Sequence, residues 1–198
     1  DADLSGIDAN TVTAAFDGDG TFTGDIGNAV VTVTDGATMT AAGNKLVGHT
    51  INKSGTGDNN GAIVVTLNAP SDTAIDLTTI SGTVNITSIT AQSSFTFTGT
   101  LHGTTLTTVA NGVTFTSAAS VVTGKTISDG SDSATVAITA LHSDLDADLS
   151  GIDANTVTAA FDGNGTFTGD IGNAVVTVAD NFTMTAAANK LIDHTINK

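Results

Sequence analysis

The residues with most to offer chemically are carboxylates. The chain carries 20 Asp and no Glu against five Lys and no Arg, for a net charge of −15. The densest group is Asp144-Leu145-Asp146-Ala147-Asp148-Leu149-Ser150-Gly151-Ile152-Asp153. Alternate residues of a strand share a face, so Asp144, Asp146 and Asp148 would project together, about 7 Å apart, with Leu145, Ala147 and Leu149 opposite. Carboxylates this close repel unless water or a cation screens them, and Ca²⁺ favours such hard oxygen donors. Asp144, Asp146, Asp148 and Asp153 therefore form a candidate calcium site, with Asp1, Asp3 and Asp8 as a partial copy. The run starts like an EF-hand loop, but its twelfth position is Val157 and no flanking helices are expected, so an EF-hand is rejected. A solvated acidic edge that discourages wrong strand pairing explains the same residues without a metal.

A second acidic cluster, Asp17-Gly18-Asp19-Gly20 with Asp25, recurs as Asp162, Asn164 and Asp170. Asp-Gly turns account for it, and the exchange of Asp19 for Asn164 suits a turn or a cation alike. The four histidines, His49, His102, His142 and His194, are far apart, and no spacing pairs a nucleophile with a base. Tandem copies also argue against a unique active site, so the chain is read as no enzyme, with Ca²⁺ as its one candidate cofactor. Thr-x-Thr occurs eleven times. Such pairs on a flat solenoid face resemble the ice-binding surface of antifreeze proteins. Their starts at 11, 21, 32 and 38 look too uneven to stack in one register, so ordinary solvent-facing strand Thr is the preferred reading. An ice-binding β-solenoid stays as a remote alternative.

The elements that must position these residues are strands. Thr, Ala and Gly make up 38, 27 and 22 of the 198 residues, while the best helix formers are scarce. Period-2 alternation marks strands at 11–13, 20–23, 30–33, 38–40, 62–67, 83–89, 94–100 and 134–141. Asp-Gly and Asn-Gly turn signals fall between them, as at Asp17-Gly18, Asp35-Gly36 and Asn111-Gly112. The absence of Cys removes disulfide scaffolds and Cys-rich zinc sites. Five scattered Lys cannot form the basic surface that nucleic acid requires. No basic and apolar leader opens the chain, and no apolar run approaches the roughly 18 residues of a membrane span, so no membrane insertion is expected.

Residues 1–53 recur at 146–198 with 46 of 53 positions identical. A weaker repeat lies inside this 145-residue period. Thr96-Phe97-Thr98-Gly99 matches Thr166-Phe167-Thr168-Gly169, and the stretch from Val113 to Ser120 matches that from Phe182 to Asn189. These offsets suggest modules of about 70 residues: a partial one at 1–44, full ones at 45–119 and 120–188, and the start of another at 189–198. Both ends fall inside a repeat, so the chain reads as an excerpt of a longer array. The expected fold is all-β, a repetitive β-solenoid of the parallel β-helix kind whose turns share one narrow core. The alternative is a tandem array of small Ig-like β-sandwiches, for which 70 residues is short.

The run from Val31 to Ala42 and the run from Asp146 to Ile152 resemble the Thr/Ala/Asp-rich strand repeats of large bacterial surface proteins, S-layer proteins and giant repetitive adhesins among them. The resemblance covers the whole chain in style and composition. It implies secretion to the bacterial cell surface, a structural or adhesive role and often calcium dependence. The calcium-binding pattern Gly-Gly-x-Gly-x-Asp of one such family is absent. The expected function is a structural repeat segment that self-assembles into an S-layer or surface fibre, with copies of itself as partner. The alternative is the non-assembling stalk of a large adhesin. Sequons at Asn52, Asn85 and Asn181, with the many exposed Thr, could carry surface glycans.

Overall fold

A computed structural model describes residues 2–7, 12–55, 60–103, 107–130 and 133–198. The chain divides into two compact units, residues 1–90 with 99–105 and residues 91–98 with 106–198. In each, short strands pair parallel with strands one turn further along the chain, which is the geometry of a β-solenoid. The chain makes about nine such turns, divided between the units. Sandwiches are built from antiparallel sheets, so the parallel pairing decides for the solenoid.

Unit 1 contains β1 (Val12–Phe16), β2 (Gly20–Phe22), β3 (Ala29–Val33), β4 (Thr38–Ala42), a one-turn helix α1 (Gly43–Leu46), β5 (Ile51–Lys53), β6 (Ala62–Leu67) and β7 (Asn85–Ala91). One sheet runs β1-β3-β5, while β2, β4, β6 and β7 are successive neighbours in another. Partners are about one turn apart: Val12 with Ala29, Gly20 with Met39, Thr38 with Ala62. Every second residue points inward, so like stacks on like along the core. Val31 lies on Ile51 and Met39 on Ile63, all buried.

In unit 2, β8 (Phe95–Phe97), β9 (Thr107–Val109), β10 (Thr114–Ala118), α2 (Ala119–Val122), β11 (Ile127–Asp129), β12 (Thr135–Thr139), β13 (Ile152–Asp153), β14 (Thr156–Phe161), β15 (Gly165–Phe167), β16 (Val175–Val178), β17 (Met184–Ala186) and β18 (Ile196–Asn197) follow in order. Three sheets form three sides: β8-β10-β12-β14-β16-β18, then β9-β11-β13, then β15-β17. The interior of the six-stranded sheet begins with Phe. Phe97 and Phe115 are fully buried with ring centroids 5.8 Å apart, and Phe95 meets Phe115 edge-on at 5.8 Å. Such edge and tilted contacts add to area burial. Further along, the inward positions narrow to Val136 and Val157.

The two near-identical segments fold alike. Asp3 bridges Asp25 as Asp148 bridges Asp170. Thr13 pairs with Val30 as Thr158 does with Val175, and Val31 with Ile51 as Val176 does with Ile196. Two of their seven differences sit where the backbone is left-handed. Gly36 (φ 79°) is replaced by Asn181 (φ 68°), and Gly48 (φ 77°) by Asp193 (φ 64°); Asn and Asp tolerate that region better than other side chains.

The weaker repeat does not coincide with whole turns. From Thr96 the register climbs to Thr116, Ala137 and Thr158, three turns in 62 residues. The matching motif residue is Thr166, eight residues further on β15 and hence on another side. The Gly that ends the motif has one role throughout. A Cβ on Gly24, Gly99 or Gly169 would lie 1.9, 1.9 or 2.1 Å from the carbonyl oxygen of Ala2, Ile75 or Ala147 one turn away. Only Gly lets the turns approach this closely at that corner.

Candidate functional site

The acidic run divides into separate tasks. Residues 141–143 form a 3₁₀ turn, residues 145–146 a turn, and the extended part begins near Asp148. From there the expected alternation holds: Ala147 and Leu149 are buried, while Asp146, Asp148 and Ser150 are exposed. Asp144 and Asp146 come together. Burial first, then a proton shared with Asp146 and the repulsion of its charge, lift the Asp144 carboxyl above the ordinary Asp range. Asp148 acts differently. Its Oδ1 accepts the Ser150 hydroxyl at 2.6 Å and the Ser150 N–H at 3.0 Å, and these bonds lower its pKa. Asp3 repeats this with Ser5, at 2.6 and 3.0 Å and with the same lowering. Asp153 lies exposed on β13 beside Ser128. Asp1 and Asp8 fall outside the described residues. Among the described residues, no three His or Asp side chains converge as a ligand set.

The Asp-Gly cluster has a structural account. Asp19 Oδ1 accepts the N–H of Thr38 on the next turn at 2.7 Å, and Asn164 Oδ1 accepts that of Thr183 at 2.8 Å. The bond needs an oxygen and no charge, which explains why Asp and Asn exchange. Asp25 and Asp170 accept the N–H of Gly27 and Gly172 in matching turns.

Spacing gave no hint of one hydrogen-bonded chain. His142 Nδ1 lies 2.5 Å from Asp162 Oδ1, and Ser143 Oγ lies 3.2 Å from His142 Nε2. The imidazole sits edge-on to Phe161 at 6.5 Å and packs against Gly163. Asp162 follows His142 by 20 residues, about one turn, a signal readable only once the turn length is known. The order Asp–His–Ser is that of a base and its orienter, yet Ser143 is exposed and lines none of the grooves described next. The pair ties two neighbouring turns together.

Two grooves occupy equivalent places. One, of about 290 Å³, is lined by residues 27–30 and 48–50; the other, of about 470 Å³, by residues 172–175 and 192–195. Each presents an Asn, a His and a Thr, namely Asn28, His49 and Thr50 in the first. Both are open and shallow, so they offer polar contact to a ligand without enclosing it.

The outward face of the six-stranded sheet is the most regular surface. One column runs Thr114, Thr135, Thr156 on successive strands, and the next runs Thr96, Thr116, Ala137, Thr158, Val175. A third holds Ala118 beside Thr139, then Ala160, Thr177 and Asn197. Eight of these thirteen positions are Thr and none is charged. The expectation that Thr pairs cannot share a register is thus corrected for this sheet. Starts at 21 and 38 fall on β2 and β4, whereas 32 falls on β3 in a different sheet. Thr21 pairs with Thr40 and Thr38 with Ala62, so the starts at 21 and 38 lie two positions out of register within one sheet; position 11 lies outside the described residues.

Compared with known proteins, the chain matches no family model, no curated protein and no solved structure.

Proposed function

We propose that this chain is a structural segment of a secreted bacterial surface protein, and that copies of it associate into an S-layer or surface fibre. The observation that carries the reading is the recurrence of one turn geometry in both near-identical segments, down to the Asp3/Asp25 and Asp148/Asp170 bridges. Repeated turns with a shared core extend indefinitely without a cleft, which suits a building element. The acidic corners give the assembly its control. At −15, copies repel at low ionic strength, and Ca²⁺ shared between the exposed carboxylates of Asp146, Asp148 and Asp153 on different copies relieves the repulsion. No enzymatic role is assigned.

The test is electron microscopy of the purified chain with millimolar Ca²⁺ and with chelator. Ordered sheets or filaments with Ca²⁺ alone are expected. Single particles under both conditions would remove the assembly reading and favour the passive stalk of an adhesin.

A further inference from the structure

We infer that the outward face of the six-stranded sheet in unit 2 binds ice. The inference is separate from the assembly reading and rests on the two-dimensional order of that face. Parallel pairing spaces its strands about 4.7–4.9 Å apart, and alternate residues along a strand are about 6.6 Å apart. The shorter repeat lies close to the oxygen repeat along the a axis of hexagonal ice, and the longer lies somewhat under the c repeat. Thr114, Thr135 and Thr156 hold the short repeat over three successive strands without a slip, and Thr96 and Thr116 continue it in the adjoining column.

Three further properties fit an ice surface. First, much of the face is uncommitted: the hydroxyls of Thr116, Thr135 and Thr158 make no hydrogen bond among the described residues, while Thr156 donates to Asn155 Oδ1 and Thr139 to the Ser117 carbonyl, each at 3.3 Å. The uncommitted hydroxyls can place water at lattice positions while the neighbouring methyl groups leave little room for disordered water. Second, Thr is β-branched and stiff at χ1, so little side-chain freedom is lost on contact with a crystal. Third, the face is neutral in a chain of 20 Asp. A charged side chain keeps its own hydration shell and would interrupt an ice-like layer, and none stands in these columns. A second copy of the chain is the other occupant to weigh. The face measures roughly 24 by 13 Å from the same spacings, far below the roughly 800 Å² per partner of a stable protein interface. Binding to a crystal can instead be held by a small rigid patch, because little conformational freedom is lost on docking.

The intact chain is examined for ice shaping and thermal hysteresis, together with Thr116→Tyr, Thr158→Tyr and, on β17 of a different side, Thr185→Tyr. Circular dichroism and melting curves confirm that each variant is folded. Faceted crystals and a hysteresis gap are expected for the wild type and for Thr185→Tyr, with loss to buffer level in both face variants. Thr116→Val, which keeps the shape and deletes one hydroxyl, is expected to retain most of the gap. Smooth disc-shaped crystals with the wild type would overturn the inference. So would equal hysteresis in all the Tyr variants, or face variants that alter only the sedimentation coefficient, the mark of a second copy.

Discussion

Replacing Asp72 with Ala should unfold unit 1 well before the wild type, because this residue caps a helix from a distance. Asp72 is fully buried, the one charged side chain among the described core residues. Its Oδ1 accepts the N–H of Asn44 at 2.7 Å, and its Oδ2 accepts that of Asn68 at 2.8 Å. Asn44 is the second residue of α1, whose own N-cap position, Ala42, supplies no side-chain bond. Asp72 therefore takes the place of the missing N-cap, accepting the N–H that a capping side chain would accept. Hydrogen bonds to a charged group contribute about 1.5–3 kcal/mol each, so losing both costs about 3–6 kcal/mol. Asp72→Asn keeps one good acceptor and costs about half as much. For a domain of this size 1 kcal/mol moves Tm by roughly 4–8 °C, so the first transition of Asp72→Ala falls by at least about 12 °C. Hydrogen exchange provides the local readout, with faster exchange at the Asn44 and Asn68 amides. An Asp72→Ala variant within about 0.5 kcal/mol of wild type, with both amides still protected, would refute the capping argument; ordinary surface substitutions stay within that range.

Thr107→Val should stabilise unit 2 by about 1 kcal/mol in chemical denaturation, because the Thr107 hydroxyl is buried without a partner among the described residues and stacks on Ile127. A loss of stability would mean that the hydroxyl is satisfied. Gly169→Ala should cost about 2 kcal/mol or more, since its Cβ would meet the Ala147 carbonyl; Gly18→Ala, with open space around it, should be neutral or slightly stabilising. Following the Asp144 carboxyl carbon shift with pH should show it titrating above the ordinary Asp value and dropping back in part in Asp146→Asn. A raised Asp pKa contributes stability below the ordinary Asp pKa that is lost as pH rises through the raised value. Asp3 and Asp148 act in the opposite sense, contributing above the ordinary value and losing it as pH falls through their lowered pKa. Asp144 titrating at the ordinary Asp value would sink the shared-proton account.

The strands were legible because alternation is a local property: the run at 62–67 became β6 unchanged, and that at 134–141 became the shorter β12, ended by the left-handed Ala140 and the 3₁₀ turn at Leu141. The parallel stacking was legible less directly, through the shortage of linkers and the small interior residues. The Thr columns were not, because two sheets alternate along the chain and the spacing of Thr pairs mixes them. Asp19 and Asn164 were found as a tolerated exchange, but the reason, a backbone N–H one turn away, needs the turn length. The same holds for His142 with Asp162, neighbours only after the chain has gone once round. Asp72 gave no signal of its capping role, since it lies in a stretch without a repeat counterpart and the helix it caps is 28 residues away.

The step from Thr96 to Thr158 in three turns, and on to its motif twin Thr166 around the corner, has an evolutionary side. A duplication of this length works like a gear with a tooth left over: each new copy is printed on the next side of the coil. A patch carried by this shorter motif is therefore not doubled by copying but moved to another side, unlike the grooves that the 145-residue repeat duplicates. The Thr face of unit 2 is a patchwork, with β8 and β10 from one copy of the motif and β14 and β16 from the neighbouring stretch of the next. To enlarge that face, selection has to act on two different parts of the repeat at once, and Ala137 and Val175, standing where Thr would continue the column, are gaps in the pattern.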